Sequence, residues 1–220
     1  MIKDNIKLMI ADESHIHYID EILETITAAA KVRGTGIAKR NPKYVENLMR
    51  KGKAVIALDG DKFAGFSYIE TWGGKHYVTT SGMIVPESYR GHGLARRIKH
   101  VTFSLARARW PQAKIFSLTS GAAVMKLNTD CGYTPVTFAQ LTDDETFWRG
   151  CEGCINHDVL VRTERRYCIC TGMLYDPENK RSKMIADEEM STDRDLVQQI
   201  IKDRFPNGFP QEDHEENECH

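Results

Sequence analysis

The first half of the chain switches back and forth between two hydrophobic periods. Residues 6–10 (IKLMI) read as an opening strand. Asp12 or Ser14 then stands where a helix cap belongs, ahead of Ile16, Ile19, Ile22, Leu23 and Ile26 at helical spacing. A glycine-bearing loop over residues 31–40 (KVRGTGIAKR) and the pair Asn41-Pro42 lead into a short helix over residues 44–50. Strands are expected at 54–58, 63–72 and 77–85, the first two joined by Asp59-Gly60-Asp61-Lys62, which makes an antiparallel meander the natural reading. After Pro86 and a glycine turn the pattern predicts a helix to about residue 109 and a strand at 115–118. A helix over about 121–130, closed by Gly132, follows, then a strand near Val136 and a strong strand at 167–175.

Beyond residue 177 the pattern weakens. Residues 178–190 read as a linker, and 192–204 as an amphipathic helix whose stripe is Leu196, Val197, Ile200 and Ile201, with Phe205 just beyond. The last ten residues carry five acids and no Lys or Arg, so 206–220 is expected to be a disordered acidic tail. The organisation expected is therefore one catalytic-sized domain over 1–177, with a cysteine-containing insertion at about 140–170, then linker and helix to 205, then the tail. No internal repeat is visible.

Composition narrows the class. With 41% hydrophobic and 28% charged residues, the chain can build one substantial core and is neither collagenous nor wholly disordered. No run approaches the roughly 18 apolar residues of a membrane span, and no apolar signal region opens the sequence, so a cytoplasmic protein without a membrane partner is expected. Thirty basic against thirty-one acidic side chains give a net charge of -1, which offers no overall case for a polyanionic partner.

The most informative run is Val85-Pro86-Glu87-Ser88-Tyr89-Arg90-Gly91-His92-Gly93-Leu94-Ala95, an apolar strand entering a glycine turn that opens a helix. Unpaired amides of such a turn, backed by the helix dipole, form a cradle for a phosphate. Local charge agrees, because residues 88–129 hold no acid but eight basic residues. A Gly-x-Gly turn also serves ordinary tight turns.

These residues carry a resemblance. Arg90 to Ala95 fits the R/Q-x-x-G-x-G/A signature of the GCN5-related N-acetyltransferases, the GNAT superfamily, which the chain resembles from about residue 6 to 138. The resemblance implies an α/β (α+β) fold with a mixed, mostly antiparallel central sheet flanked by helices and splayed between its fourth and fifth strands for acyl-CoA. It also implies that the amides of Arg90, Gly91, His92, Gly93, Leu94 and Ala95 hold the pyrophosphate of acetyl-CoA. Met83, Ile84 and Val85 would pair with the pantetheine arm. Many members place a basic carboxylate on the strand before the motif, where this chain has Thr79-Thr80-Ser81-Gly82; Glu70 is then the nearest candidate base and His76 the next. The usual acid, a tyrosine four residues before a Gly-aromatic pair, maps onto Asn128.

Lys31, Arg33, Lys39 and Arg40 in the basic loop suit an acceptor bearing carboxylates, although a solvated basic loop has the same composition. The runs KVRGTGIAKR, SLTSGAAVMK, FWRGCEGCINHDVL and MLYDP resemble stand-alone bacterial GNAT proteins regarded as N-acylglutamate synthases of arginine biosynthesis. That resemblance implies transfer of an acetyl or succinyl group from its CoA thioester to the amine of glutamate. A homodimer is compatible with the sequence. Transfer to another small-molecule or protein amine stays open, as does a catalytically weak acyl-CoA sensor. A nucleic-acid-binding module is disfavoured by the near-neutral charge and the lack of aromatic-basic alternation.

Four of the six cysteines crowd into residues 151–170 as Cys151-x2-Cys154 and Cys168-x-Cys170. Four thiolates suit tetrahedral structural zinc. Equally, Cys168 and Cys170 sit two apart on an expected strand and read as buried core thiols, with a redox or disulfide role as the remaining reading.

Overall fold

In the computed structural model, which describes residues 5–33 and 40–210, the strand over Ala54–Asp59 shows how the sheet is covered. Ala54, Ile56 and Leu58 bury against one layer of helices, and Val55 and Ala57 against another. A strand buried on both faces needs this continuous apolar run.

The strands are β1 (Ile6–Ile10), β2 (Ala54–Asp59), β3 (Lys62–Trp72), β4 (Tyr77–Ile84), β5 (Lys114–Thr119), β6 (Thr134–Val136) and β7 (Thr171–Tyr175). They form one seven-stranded sheet in the order β1-β2-β3-β4-β5-β7-β6. Every neighbouring pair is antiparallel except β4 with β5, which is parallel. The expected mixed, mostly antiparallel sheet is thus present.

Asp12 supplies the N-terminal cap, accepting from Ser14 N at 2.9 Å, and starts a 3-10 turn over Glu13–Tyr18 that runs into α1 (Ile19–Arg33). Asn41 caps α2 (Pro42–Arg50). Ile22 and Ile26 of α1, with Val45, Leu48 and Met49 of α2, pack on Ile56, Phe66 and Tyr68. On the opposite face, Leu94, Ile98, Val101 and Leu105 of α3 (Leu94–Arg109) pack on Val55, Ala57, Ile69 and Val78. Helix α4 (Ala122–Asp130) follows β5. No helix among the described residues is long and apolar enough to cross a membrane.

The C-terminal half departs from the expected pattern in three places. First, the strand expected at 167–175 covers only Thr171–Tyr175, so Cys168 and Cys170 precede it and share no strand face. The segment before it contains α5 (Glu145–Arg149) and α6 (His157–Arg162), whose Trp148 and Leu160 pack with Phe138 and Leu141 on Trp72, Phe116 and Leu174.

Second, the stretch expected as a linker is helical. Asn179 caps α7 (Lys180–Met190), which buries Ala186 and Met190 and is followed by α8 (Arg194–Arg204), which buries Val197 and Ile200. The stripe of α7 is narrow because charge does much of the docking. Asp187 pairs with Arg107 at 2.7 Å and Glu189 with Arg96 at 2.7 Å, while buried His100 lies between Glu189 (3.0 Å) and Asp193 (2.7 Å).

Third, residues 206–210, expected as the start of the tail, follow α8 with Phe209 docked on the domain. Phe205 and Phe209 meet at 4.9 Å between ring centroids, the Arg109 guanidinium lies 5.6 Å from each, and both rings pack against the main core. Residues 211–220 lie outside the described part. A chain ending at Phe205 is therefore expected to melt below one ending at residue 210. The loss of the half-buried Phe209 is about 1 kcal/mol, roughly 2–4 °C at this size, and differential scanning calorimetry of the two chains checks it.

Candidate functional site

β4 and β5 stay together for only a short distance. Tyr77, Val78 and Thr79 pair with Lys114, Ile115 and Phe116, and beyond them the strands separate. Between β3 and β4 the register shifts from Phe66↔Ile84 to Tyr68↔Ser81, which places one extra residue on β4. Gly82 takes the left-handed φ of +65° that such a bulge demands and bends β4 away. The result is a cleft of about 520 Å³, with residues 80–84 along one wall and Ser117, Leu118 and Thr119 along the other. Of the three residues expected to meet a pantetheine arm, Met83 and Ile84 line this wall, and Val85 is buried just beyond it.

The glycine motif lies directly after β4. Gly91 and Gly93 have φ of +80° and +77°, and among the described residues, chain neighbours aside, nothing lies within 4 Å of the point where a Cβ would sit on either. Gly93 caps α3 without a side-chain hydrogen bond, and the helix ladder begins with Arg97 N donating to Gly93 O at 3.2 Å. The amides of Leu94, Ala95 and Arg96 thus precede the ladder and find no backbone acceptor among the described residues. An anion fits this cradle.

The eight basic residues around it are mostly engaged elsewhere. Arg96, Arg107, Lys114 and Lys126 pair with Glu189, Asp187, Asp176 and Asp130. Arg90 donates to Val85 O at 2.9 Å, and neither it nor Arg97 has a carboxylate partner among the described residues, so these two flank the cradle with charge to spare.

Neither expected base reaches the cleft. Glu70 is buried with its Oε1 2.8 Å from Lys53 Nζ and 2.9 Å from Thr71 N, and it approaches the cleft only through Tyr44, whose hydroxyl is 3.5 Å away. His76 is exposed in the β3–β4 turn, at the end of β4 far from the glycine motif. Asn128, by contrast, lines the cleft and is fully buried. Its Nδ2 faces Met173 Sδ at 3.7 Å, and its Oδ1 has no partner among the described residues.

Sequence reasoning missed Lys99. It lies one and a half turns into α3, is buried at 3% exposure and lines the cleft. Its ammonium donates to Thr80 Oγ1 at 2.9 Å and contacts Tyr133 OH at 3.2 Å, and no carboxylate pairs with it among the described residues. Burial lowers its pKa to about 8, with nearby Cys131 opposing the shift. Burial also raises the Tyr133 phenol well above its usual value, against the hydrogen bond from Thr80. The signal was available: Lys99 is the one charge in the row Ala95, Lys99, Phe103, Ala106 at helical spacing.

The loop residues fare unequally. Arg40 lines the cleft, donating from Nε to Tyr68 OH at 2.7 Å. Lys31 is exposed on α1 and away from the cleft, while Lys39 and the side chain of Arg33 lie outside the described part. Arg149, unforeseen, also lines the cleft and donates to Thr146 Oγ1 at 3.2 Å.

The cysteines do not assemble the expected zinc site. Among the described residues no group of three or more His, Cys, Asp or Glu side chains is placed to hold a metal ion. Cys151, Cys154, Cys168 and Cys170 are half-buried free thiols, and Cys151, Cys168 and Cys170 pack against the Trp148 cluster. Burial first, and then neighbouring thiols, push Cys151 up to about 11 and Cys170 up to about 12.

The lowered pKa of Lys99 has a stability consequence with a definite sign. The unfolded chain holds this proton to about 10.5 and the folded chain only to about 8, so the charged form is penalised below 8 and the penalty disappears between 8 and 10.5. Lys99→Met is expected to stabilise the protein at pH 7 by roughly 2–3 kcal/mol, and the gain should shrink as pH rises through that window. Urea unfolding of both proteins between pH 7 and 10 measures it.

No known family model matches the sequence, and no curated protein does. Solved structures do. N-acetylglutamate synthase from Neisseria gonorrhoeae, in complex with coenzyme A and N-acetyl-glutamate, superposes with a TM-score of 0.57 at 13% identity over 79% of this chain, which spans only 35% of that one. A Mycobacterium tuberculosis protein in complex with CoA gives 0.55 at 17% identity, covering 76% of this chain and 97% of that one. Salmonella typhimurium yncA, with its cofactor acetyl-CoA, gives 0.53 at 14%, covering 80% and 96%. At such identities the likeness is one of architecture: with its β4–β5 splay and glycine turn, the chain has the fold of the GCN5-related N-acetyltransferases.

Proposed function

We propose that the protein is an acyl-CoA-dependent N-acyltransferase that moves an acetyl group to the amine of a small carboxylated acceptor, glutamate foremost. The observation that carries this reading is the continuity between the splayed cleft and the glycine cradle. One offers the unpaired main-chain edge of β4 to an amide-bearing arm, and the other offers free helix amides to a pyrophosphate. A CoA thioester has these two parts in this order. Fold neighbours crystallised with CoA or acetyl-CoA support the same ligand.

Bound so, the thioester would lie near Thr80, where the strands part, and an acceptor would enter past Arg40 and Tyr44. The chemistry is largely positioning: an amine held against a carbonyl carbon, with dipoles facing the oxygen as it gains charge. Arg40 is the loop residue we assign to an acceptor carboxylate, and Arg149 is a second guanidinium lining the same cleft. Two guanidiniums favour a dicarboxylate and disfavour a polyamine. The Neisseria neighbour's bound N-acetyl-glutamate supports glutamate in particular.

Release of free CoA thiol from acetyl-CoA, measured across glutamate, aspartate, neutral amino acids and spermidine, tests the reading. Glutamate is expected to be fastest; spermidine outrunning it would defeat the acceptor assignment. Arg40→Ala is expected to cost about 1.5–3 kcal/mol in kcat/KM for glutamate with little change in KM for acetyl-CoA. Gly93→Val places a β-branched side chain at a left-handed φ and fills the open cradle. Its affinity for CoA, read by calorimetry, should fall at least roughly tenfold, the equivalent of one lost charge-assisted hydrogen bond.

A further inference from the structure

Acyl transfer to an amine needs a group that removes the ammonium proton and a group that protonates the departing thiolate. On the cleft side of β4 this chain offers hydroxyls (Thr79, Thr80, Ser81) and no carboxylate, and Asn128 cannot exchange a proton. Glu152 lines the cleft but is exposed just beyond α5, and Arg40 and Arg149 are guanidiniums, which act as hydrogen-bond donors only.

Lys99 is placed differently. Its Nζ is anchored to Thr80, the first residue of β4 beyond the paired segment, so the amine sits at the apex of the splay. The glycine cradle follows the other end of β4, and the strand rises about 3.3 Å per residue, so an arm laid along residues 84 to 80 covers roughly 13 Å. A CoA bound with its pyrophosphate at residues 91–95 therefore runs its reactive end toward Thr80 and Lys99. The titratable groups facing Lys99 are the Tyr133 phenol and the Cys131 thiol, both buried and both held in their protonated forms by that burial. Thr80 and Tyr133 hydroxyls also lie 3.2 Å from each other, so both remain partnered whether or not Lys99 carries its proton.

We propose that Lys99 is the proton shuttle of acyl transfer, its neutral amine taking a proton from the acceptor ammonium and returning it to the sulfur of CoA as the thioester breaks. The step balances. The freed amine lone pair forms the N–C bond on the thioester carbonyl. The C–S bonding pair leaves on sulfur, which takes the proton from the Lys99 ammonium and departs as the CoA thiol. The second nitrogen proton is lost to water as the amide forms, and Lys99 ends each cycle neutral, as it began. Burial without a carboxylate gives the lysine this freedom, because among the described residues no counter-charge holds its proton in place.

This assignment rests on the acyltransferase reading, and two measurements separate the failure of one from the failure of the other. The first is kcat against pH, with acetyl-CoA and L-glutamate, for the parent, Lys99→Met and Lys99→Arg. The parent rate is expected to rise to a plateau through one ionisation near pH 8. Both variants should lose at least about 100-fold in kcat, the usual size of a proton-transfer contribution, with KM for acetyl-CoA moved less than threefold and the inflection gone. Because arginine keeps the charge but not the exchangeable proton, a Lys99→Arg rate within threefold of the parent would overturn the shuttle, as would a Lys99→Met profile that keeps its inflection. The second measurement needs no acceptor. In parent protein with lysines labelled at 13Cε and saturated with CoA, the Lys99 resonance, assigned by its absence from Lys99→Arg, is titrated by NMR. A midpoint at or below 9 supports the shuttle even if glutamate proves the wrong acceptor. A midpoint above 9 rejects it.

Discussion

Two neighbouring parallel strands that separate after three paired residues leave main-chain donors and acceptors without partners in the middle of a sheet, where the cost of an unmade hydrogen bond is highest. The fold keeps that gap open from both sides. β3 holds β4 through an antiparallel ladder that tolerates the bulge at Gly82, and β7 holds β5 along Ile115 to Thr119, so neither strand can swing across to close the cleft. The exposed edge can then be satisfied only by solvent or by a ligand with amide-like groups at a strand's spacing. Each feature of the candidate site, from the cradle at Gly91 and Gly93 to Lys99 at the apex, takes its meaning from this parting.

The C-terminal helices serve the same element from behind. Helix α3 has free amides at its N-terminus, and its sides carry a dense set of basic residues. Asp187, Glu189 and Asp193 answer Arg107, Arg96 and His100, and so bind α7 and the start of α8 to the motif helix. The exposed members of this set are individually weak. His100 differs, being 1% exposed in its side chain and bridging two carboxylates, so it ties the chain end to α3 in a single register. Charge that reads along the sequence as a phosphate-binding surface is thereby largely spent on holding the fold, with Arg90 and Arg97 left beside the cradle.

Among the described residues two buried side-chain atoms lack a hydrogen-bond partner, Arg204 Nε at the end of α8 and Asn128 Oδ1 at the cleft, where Lys99 also carries an ammonium that meets hydroxyls and no carboxylate. The two cleft groups lower stability where a packed apolar pair would raise it. Such local conflict with otherwise consistent packing is the usual mark of a working site.

The strand and helix periods, a cap at Asp12 or Ser14 and the glycine motif were legible in the chain because each depends on neighbours a few residues away. These local signals determined the meander, the motif helix and the fold class. Gly82, inside a strand pattern, and Lys99, alone in an apolar helical row, were visible irregularities whose meaning depended on what faced them. Helix α7 was illegible because its docking is ionic and its partners lie some eighty to ninety residues earlier in the chain. The cysteine spacing suggested a metal, but spacing along the chain does not fix how side chains are placed: among the described residues no group of three or more His, Cys, Asp or Glu is set to hold an ion, and Cys151, Cys168 and Cys170 pack against an aromatic cluster. Likewise Glu70 had the right chemistry at a plausible distance along the chain, and only the tertiary structure paired it with Lys53 and set Lys99 at the apex of the cleft. The sequence by itself determined which elements form, because their periods are local; the tertiary structure alone decided which polar groups meet, because a carboxylate or an ammonium takes its state from partners that the chain brings together only on folding.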